Sequence, residues 1–404
     1  MQRIYLDYAS TTPVDAKVQK VMQRVSEKIY GNPGSLHTAG REAKTALFGA
    51  RKTVAQILNC RPEEIIFTGS GTESDNLAIL GIARACKDFG KHVITSSIEH
   101  HAVLYTFEQL RKEGFKVDFV KVDKDGILNL DEFKKLIGDE TILVSVMYAN
   151  NEIGTIQPIK EIGEIVKNIR ADRQARAIKT PIYFHTDACQ AAGYLDLDVQ
   201  KLGVDLLTLN GSKIYGPKGV GVLFVKAGTK IEPVIFGGGQ ENGLRSGTEN
   251  VAGIVGLAEA LKISNQKKVA ESKREIKLRD YFIKQILKNI PRTVLNGSDP
   301  STGSGQENRL PNNVNVSVLD IEGEAMLLWL DKHGIYVSTG SACDSKSLEP
   351  SHVILALGRP YEYANGNLRF TLGRQTTKKD LDYVLKVLPK IVQDLRKISP
   401  VNVK

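Results

Sequence analysis

Short apolar runs of the strand type recur seven times between residues 64 and 225, and helical patterns lie between most of them. The runs cover residues 64–68, 92–96, 115–120, 141–147, 181–186, 204–209 and 219–225. Continuous apolar strands that alternate with helices predict an α/β fold with a mostly parallel, seven-stranded sheet covered on both faces. Ligands bind such sheets at the carboxyl ends of the strands.

The pattern changes after residue 250, which indicates a second domain. A lysine-rich helical stretch continues to about residue 289, strand-like pieces follow at 315–319 and 334–337, and an amphipathic helix closes the chain. The 404 residues suffice for two domains. We expect a large α/β domain over 17–260 and a smaller α+β domain over 261–404, with residues 1–16 joining the small domain.

Composition narrows the class of protein. The net charge of +9 is spread along the chain, so we expect no direct nucleic-acid binding. The four cysteines are far apart and form no C-x-x-C pair, which argues against a disulfide framework or a zinc site. No apolar run approaches membrane-spanning length, and no signal or transit segment is evident, so we expect a cytoplasmic protein without a metal.

Two of the predicted strands end in residues that suit a carbonyl cofactor. Lys213 stands on a tight turn between two apolar strands, where it is either a surface lysine or the amine that forms a Schiff base. Asp187 ends the preceding strand, where a buried carboxylate needs a cation or fixed donors. A protonated pyridine ring is such a cation, and the pair together indicates pyridoxal 5'-phosphate, PLP.

Glycine-rich turns supply candidate phosphate sites. Gly71 and Thr72 open a helix after a strand, which suits either a phosphate cup or an ordinary helix cap. Thr248 follows a second glycine-rich stretch, 237–239, and precedes another helix. The stretch that contains Gly71 has neither a Walker nor a Rossmann glycine pattern.

Polar residues after two other strands allow both a functional and a structural interpretation. Of the adjacent His100 and His101, at most one can point into a site from regular structure. Asn151, in an Asn-Asn-Glu-Ile-Gly stretch, is suited either to orienting a ligand or to forming a turn.

The last two candidates lie in the C-terminal part. Cys343 is a lone cysteine among small residues, and it is either a reactive thiol or an inert exposed one. Arg369 falls within a strand-like run, where a substrate carboxylate is a natural bidentate partner for its guanidinium.

Taken together, these motifs resemble those of the cysteine desulfurases of the NifS/IscS group, which are PLP-dependent enzymes of fold type I. The resemblance runs from about residue 5 to residue 395. It includes the opening stretch Tyr-Leu-Asp-Tyr-Ala-Ser-Thr-Thr-Pro, the Lys-Ile-Tyr-Gly-Pro-Lys-Gly turn at Lys213, and the Leu-Arg-Phe stretch at Arg369.

The resemblance implies a role for each candidate. Lys213 would bind the cofactor covalently, Asp187 its pyridinium nitrogen and Gln190 its phenolic oxygen, while His100 would stack on the ring and assist proton transfer. Asn151 and Arg369 would fix the substrate carboxylate. The phosphate would be held by Gly71, Thr72, Asn210, Ser212 and, from a neighbouring subunit of a homodimer, Thr248.

The implied reaction converts L-cysteine to L-alanine and leaves a persulfide on Cys343. The sulfur would pass to an iron–sulfur cluster scaffold or to a tRNA-thiolation acceptor. Selenocysteine lyase or aminotransferase activity on the same fold, and a catalytically idle scaffold, are the alternatives.

One departure from the family pattern concerns the phosphate. The family usually has Ser-x-His before the lysine, whereas this chain has Asn210-Gly211-Ser212. Both side chains still donate hydrogen bonds, so we expect PLP to bind, with an altered phosphate contact.

Overall fold

The computed structural model describes residues 3–302, 305, 307–340 and 350–399. The strands in this part of the chain are β1 (Ile4–Tyr5), β2 (Ile65–Thr68), β3 (His92–Ser96), β4 (Lys116–Val120), β5 (Thr141–Ser145), β6 (Tyr183–Asp187), β7 (Leu206–Asn210), β8 (Gly221–Val225), β9 (Thr293–Leu295), β10 (Asn313–Val318), β11 (Ile335–Tyr336) and β12 (Asn367–Thr371). The helices are α1 (Ala16–Lys28), α2 (Thr38–Leu58), α3 (Gly71–Cys86), α4 (His101–Lys112), α5 (Leu130–Leu136), α6 (Ile159–Ala175), α7 (Val199–Leu202), α8 (Val251–Asn289), α9 (Gly323–Lys332), α10 (His352–Ala356), α11 (Tyr361–Asn365) and α12 (Lys378–Ile398).

The central sheet has seven strands in the order β2-β8-β7-β6-β5-β3-β4. Strand β8 runs antiparallel to both of its neighbours, and the other adjacent pairs are parallel. The predicted mostly parallel, seven-stranded sheet is therefore confirmed. Because β3, β5, β6 and β7 run in one direction, the loops that follow them meet at one edge of the sheet.

The sheet is buried on both faces. One apolar cluster joins it to α2, α6 and the first half of α8, and a second joins it to α3 and α4. All residues of β3, β5 and β8 are buried. This accounts for the continuous apolar runs in the sequence, because a strand covered on both sides shows no alternation.

A separate apolar cluster lies around the antiparallel sheet β12-β10-β9. It contains Phe282 of α8, Met326 of α9 and Leu388 of α12, and also Ile4 and Leu6 from the start of the chain. Strand β1 pairs in parallel with β11, and Asp7 bridges to Thr371. The N-terminal residues thus pack with the C-terminal part.

The domain boundaries given above stay a prediction. Helix α8 is 39 residues long and runs without interruption past residue 260, so it contributes to both apolar clusters. Among the described residues, no helix is both long enough and apolar enough to cross a lipid bilayer.

Candidate active site

A cavity of about 190 Å³ lies at the carboxyl edge of the central sheet. Nine of the residues singled out in the sequence line it: Gly71, Thr72, His100, Asn151, Asp187, Gln190, Asn210, Lys213 and Arg369. A larger cavity of about 580 Å³ lies beside Tyr5, Tyr8 and Lys218, but none of these candidates lines it. The polar strand-end residues are therefore assembled in the smaller cavity.

Lys213 reaches this cavity from a short 3-10 turn, Gly211–Lys213, directly after β7. Its Nζ donates hydrogen bonds to the backbone oxygens of Ala9 at 2.8 Å and Ser10 at 2.7 Å. A Cβ at Gly211 would lie 2.6 Å from the Pro217 carbonyl oxygen, so the turn needs glycine there. The amine is thus placed by its own turn and by the N-terminal segment.

Asp187 is the last residue of β6, the strand next to β7. Its Oδ1 accepts a hydrogen bond from the backbone N–H of Cys189 at 2.9 Å, and the residue is buried. Two residues earlier, His185 lies between Ser145 Oγ at 2.8 Å and Thr208 Oγ1 at 3.0 Å. Burial lowers the pKa of His185 to about 4, so its imidazole is neutral and adds no positive charge beside Asp187.

His100 is the N-cap residue of α4 and turns its ring toward the cavity. Its Nδ1 accepts a hydrogen bond from the backbone N–H of Ala102 at 3.1 Å, which puts the proton of the neutral ring on Nε2. Burial lowers the pKa of His100 to about 4. His101 instead stacks on the ring of Tyr105, with a centroid distance of 4.9 Å, and does not line the cavity.

Arg369 is buried on β12 and its guanidinium joins three parts of the chain. Nη1 donates to the Asn151 backbone oxygen at 3.0 Å, and Nη2 donates to Asp7 Oδ1 at 2.8 Å and to Ser10 Oγ at 2.7 Å. The sequence patterns gave no role to Asp7 or Ser10, although both lie in the opening stretch that carries the family resemblance. Their contacts to Arg369 span about 360 residues, so no local pattern reveals them.

The first turn of α3 forms the opposite wall. Ser70 caps the helix by accepting from the backbone N–H of Glu73 at 3.1 Å, and Arg245 neutralises the Glu73 carboxylate at 2.8 Å. A Cβ at Gly71 would lie 2.9 Å from Cys189 Sγ and 3.3 Å from Asn210 Cβ. A helix N-terminus lined by glycine, with its acidic residue already paired, suits an anionic group.

The structure does not place three of the candidates at the cavity. Ser212 Oγ donates to Asn210 Oδ1 at 3.2 Å and does not line the cavity. Thr248 is exposed and also lies outside the cavity of its own chain. Cys343 lies outside the described residues. Asp75, Met147 and Cys189 also line the cavity but were not predicted. Asp75 lies one helical turn after Gly71, Met147 is an apolar residue four positions before Asn151, and Cys189 is part of no polar pattern.

Comparison with known proteins decides the family. The model of the family described as aminotransferase class-V matches residues 4–384. A cysteine desulfurase IscS from Dictyoglomus turgidum is 49% identical over 399 residues, which cover 99% of this chain and 97% of the relative. Another, from Methanosarcina thermophila, is 50% identical over 401 residues, covering 99% and 95%. The chain belongs to the cysteine desulfurases of the class-V aminotransferase family.

Solved structures agree with that assignment. A NifS-like protein superposes with a TM-score of 0.87 at 37% identity, covering 98% of this chain and 100% of its own. SspA in complex with cysteine superposes with a TM-score of 0.75 at 32% identity, covering 92% and 99%. The predicted PLP fold type I is confirmed.

Cysteine desulfurases of this family are PLP-dependent, and so is this chain. The cavity fits the cofactor by its donor set. It offers an amine at Lys213 for a carbonyl group, a buried carboxylate at Asp187 for a pyridinium, and a helix N-terminus at Gly71 for a phosphate. Glycine at position 71 lets the start of α3 approach Cys189 and Asn210, which also line the cavity.

Gly71→Ala tests the phosphate wall. The added methyl group crowds Cys189 and Asn210, so we expect PLP affinity to fall about tenfold or more, which corresponds to overpacking of about 1–3 kcal/mol. Equilibrium titration of the cofactor-free protein with PLP measures the affinity. Gly49→Ala on α2 is the control, because a Cβ there meets nothing within 4 Å. Equal PLP affinity in the two variants contradicts the assignment.

His185→Gln tests the neutral imidazole beside Asp187. The folded chain holds His185 with a pKa of about 4, whereas a histidine in the unfolded chain titrates near about 6.5. The unfolded state binds more protons between these values, so stability is lost as the pH falls from about 7 to 5, by about 2 kcal/mol for this group. Urea unfolding at both pH values should show a loss that is smaller by about that amount in the variant. An identical loss in both proteins contradicts a neutral His185.

Proposed function

We propose that this chain removes sulfur from L-cysteine, releases L-alanine and holds the sulfur as a persulfide on Cys343. One observation carries the proposal. The amine of Lys213, the buried carboxylate of Asp187 and the buried guanidinium of Arg369 converge on one cavity at the carboxyl edge of the sheet. The relatives named cysteine desulfurase support L-cysteine as the substrate.

Each side of the cavity has a task in holding PLP. Lys213 would bind its carbonyl group and Asp187 would pair with its pyridinium nitrogen, while His100 would stack on its ring. Gln190, whose Nε2 donates to the Ala9 backbone oxygen at 3.0 Å, would contact its phenolic oxygen. The phosphate would be held by Gly71, Thr72, Asn210, Ser212 and a neighbouring subunit's Thr248. When bound, PLP withdraws electrons from the bonds of an attached amino acid.

The chain's own residues would bind the substrate and move its protons. Arg369 and Asn151 would hold the carboxylate of L-cysteine, with Asp7 and Ser10 fixing the orientation of the guanidinium. Lys213 Nζ would take up and return the proton from the α-carbon. His100 is neutral, with its proton on Nε2, and can therefore donate that proton near the cavity, while its Nδ1 accepts from the Ala102 N–H.

Sulfur transfer would follow at Cys343. Its thiolate attacks the substrate sulfur, so that an S–S bond forms while the Cβ–S bond breaks. The bonding electrons stay with the substrate's carbon skeleton, which gains a proton at Cβ and leaves as L-alanine. The transferred sulfur is oxidised to the sulfane level and Cβ is reduced by the same two electrons, so no external oxidant is required.

The proposal includes a homodimer, an acceptor and a location. Thr248 is exposed and outside its own cavity, so a phosphate contact would need a second chain. Phe236, 80% exposed in the same region, is an apolar residue that a second chain could cover. An iron–sulfur scaffold or a tRNA-thiolation protein would receive the sulfur, in the cytoplasm.

Cys343→Ala tests sulfur transfer. We expect L-alanine formation to fall by at least about 10²-fold, because the nucleophile is lost, while the absorbance of bound PLP is unchanged. Cys60→Ala is the control. Burial raises the pKa of the Cys60 thiol to about 12, so that thiol stays protonated and should not contribute. L-alanine formation at the wild-type rate in Cys343→Ala contradicts the proposed role of Cys343.

A further inference from the structure

Glu152 is a buried carboxylate that lies next to the predicted substrate residue Asn151, yet neither the family resemblance nor the cavity gives it a task. Burying a carboxylate is costly unless donors compensate for the lost water. Hydrogen bonds to its backbone N–H and to its backbone carbonyl oxygen fix its position. The Glu152 N–H donates to Asn150 Oδ1 at 2.8 Å, and its carbonyl oxygen accepts from the side-chain amides of Asn313 at 2.9 Å and Asn315 at 3.1 Å on β10.

The carboxylate of Glu152 contacts the two described ends of the segment that contains Cys343. After that segment, Ser351 Oγ donates to Glu152 Oε2 at 2.6 Å and also caps α10, accepting from the Ile354 N–H at 3.3 Å. Before it, Gly340 packs against the same oxygen so closely that a Cβ would lie 2.9 Å away. Gly340 also has a φ of +83°, which favours glycine independently.

These ends are tied to the substrate side of the cavity as well. Ser338 exchanges backbone hydrogen bonds with Arg369, at 2.7 and 3.2 Å, so the first end pairs with β12, the strand that carries the guanidinium. Beside the second end, His352 Nε2 lies 3.0 Å from the Glu99 backbone oxygen, next to His100. The carboxylate of Glu152, the residue after Asn151, therefore contacts described residues on both sides of residues 341–349.

We propose that Glu152 is a positioning residue for sulfur transfer: by its hydrogen bond to Ser351 and its packing against Gly340, it anchors the described residues on both sides of the Cys343 segment beside Asn151 and Arg369. The inference rests on the proposed function, because it takes Cys343 as the sulfur acceptor. Glu152 itself touches neither the cavity nor the substrate. Its loss should therefore spare the binding of L-cysteine and the cofactor chemistry but slow the step at Cys343.

Separate readouts for the two halves of the reaction test this role. Mixing the PLP-loaded enzyme with L-cysteine gives an absorbance change that reports the cofactor step, and acid quenching with alkylation and mass spectrometry gives the sulfur bound to Cys343. In Glu152→Ala we expect the absorbance change within about twofold of wild type and the rate of persulfide formation lower by about tenfold or more. Glu152→Gln keeps an oxygen that accepts from Ser351 and should restore most of the rate.

Matched variants separate positioning from general damage. Ser351→Ala should slow the same step. The double variant of Ser351→Ala and Glu152→Ala should be no slower than Glu152→Ala alone, because both substitutions remove the same Ser351–Glu152 hydrogen bond. Glu324→Ala, an exposed glutamate on α9, is the control and should behave as wild type. If Glu152→Ala does not fold, the comparison of Ser351→Ala with Glu152→Gln replaces it as the test.

Three outcomes overturn the proposal in distinguishable ways. Persulfide formation at the wild-type rate in Glu152→Ala, or in Ser351→Ala, shows that the contact does not position the thiol. An equal loss of the absorbance change and of persulfide shows that Glu152 acts on the whole site and not on sulfur transfer. A wild-type enzyme that forms alanine without sulfur on Cys343 refutes the proposed function, and the positioning role with it.

Discussion

The buried guanidinium of Arg369 is the contact on which the arrangement of this site depends. It binds Asp7 and Ser10 of the N-terminal segment and the Asn151 backbone oxygen after β5. The same segment accepts two hydrogen bonds from Lys213 Nζ, at the backbone oxygens of Ala9 and Ser10. A buried arginine is costly unless it is paired, and these contacts match its two Nη groups, so the position of β12 and the position of Lys213 are coupled through the N-terminal segment.

Three titratable side chains near the cavity add no net charge to it. His100 and His185 are both buried with a pKa of about 4, so neither adds a positive charge near Asp187. Glu73, at the start of α3, is paired with Arg245, which leaves the helix N-terminus available to an anion. Besides Asp75 and Arg369, the cavity offers the Asp187 carboxylate, the Lys213 amine and one positive helix end, which suit a cofactor with a pyridinium, a carbonyl group and a phosphate.

The sequence was sufficient for the strands of the large sheet, because each is buried on both faces and is bounded by turn residues. It also located Asp187 and Lys213, because residues at strand ends meet at one edge. The reversed direction of β8 was not predicted, since an apolar run does not specify the direction of a strand. The contacts of Asp7, Ser10 and Glu152 join residues that are far apart in the chain, so no local pattern predicts them. The direction of the Ser212 side chain was not predictable either, and the proposed phosphate contact of Thr248 would need a second chain.

The central claim is that Lys213 is the amine that holds PLP. Borohydride reduction of the PLP-loaded enzyme makes the bond between the cofactor and its amine permanent, and peptide mass spectrometry then locates it. The account predicts the added mass on the peptide that contains Lys213, and no covalent PLP in Lys213→Ala. Attachment to another lysine, such as Lys218 in the same turn region, or no attachment to the wild-type enzyme, would contradict it.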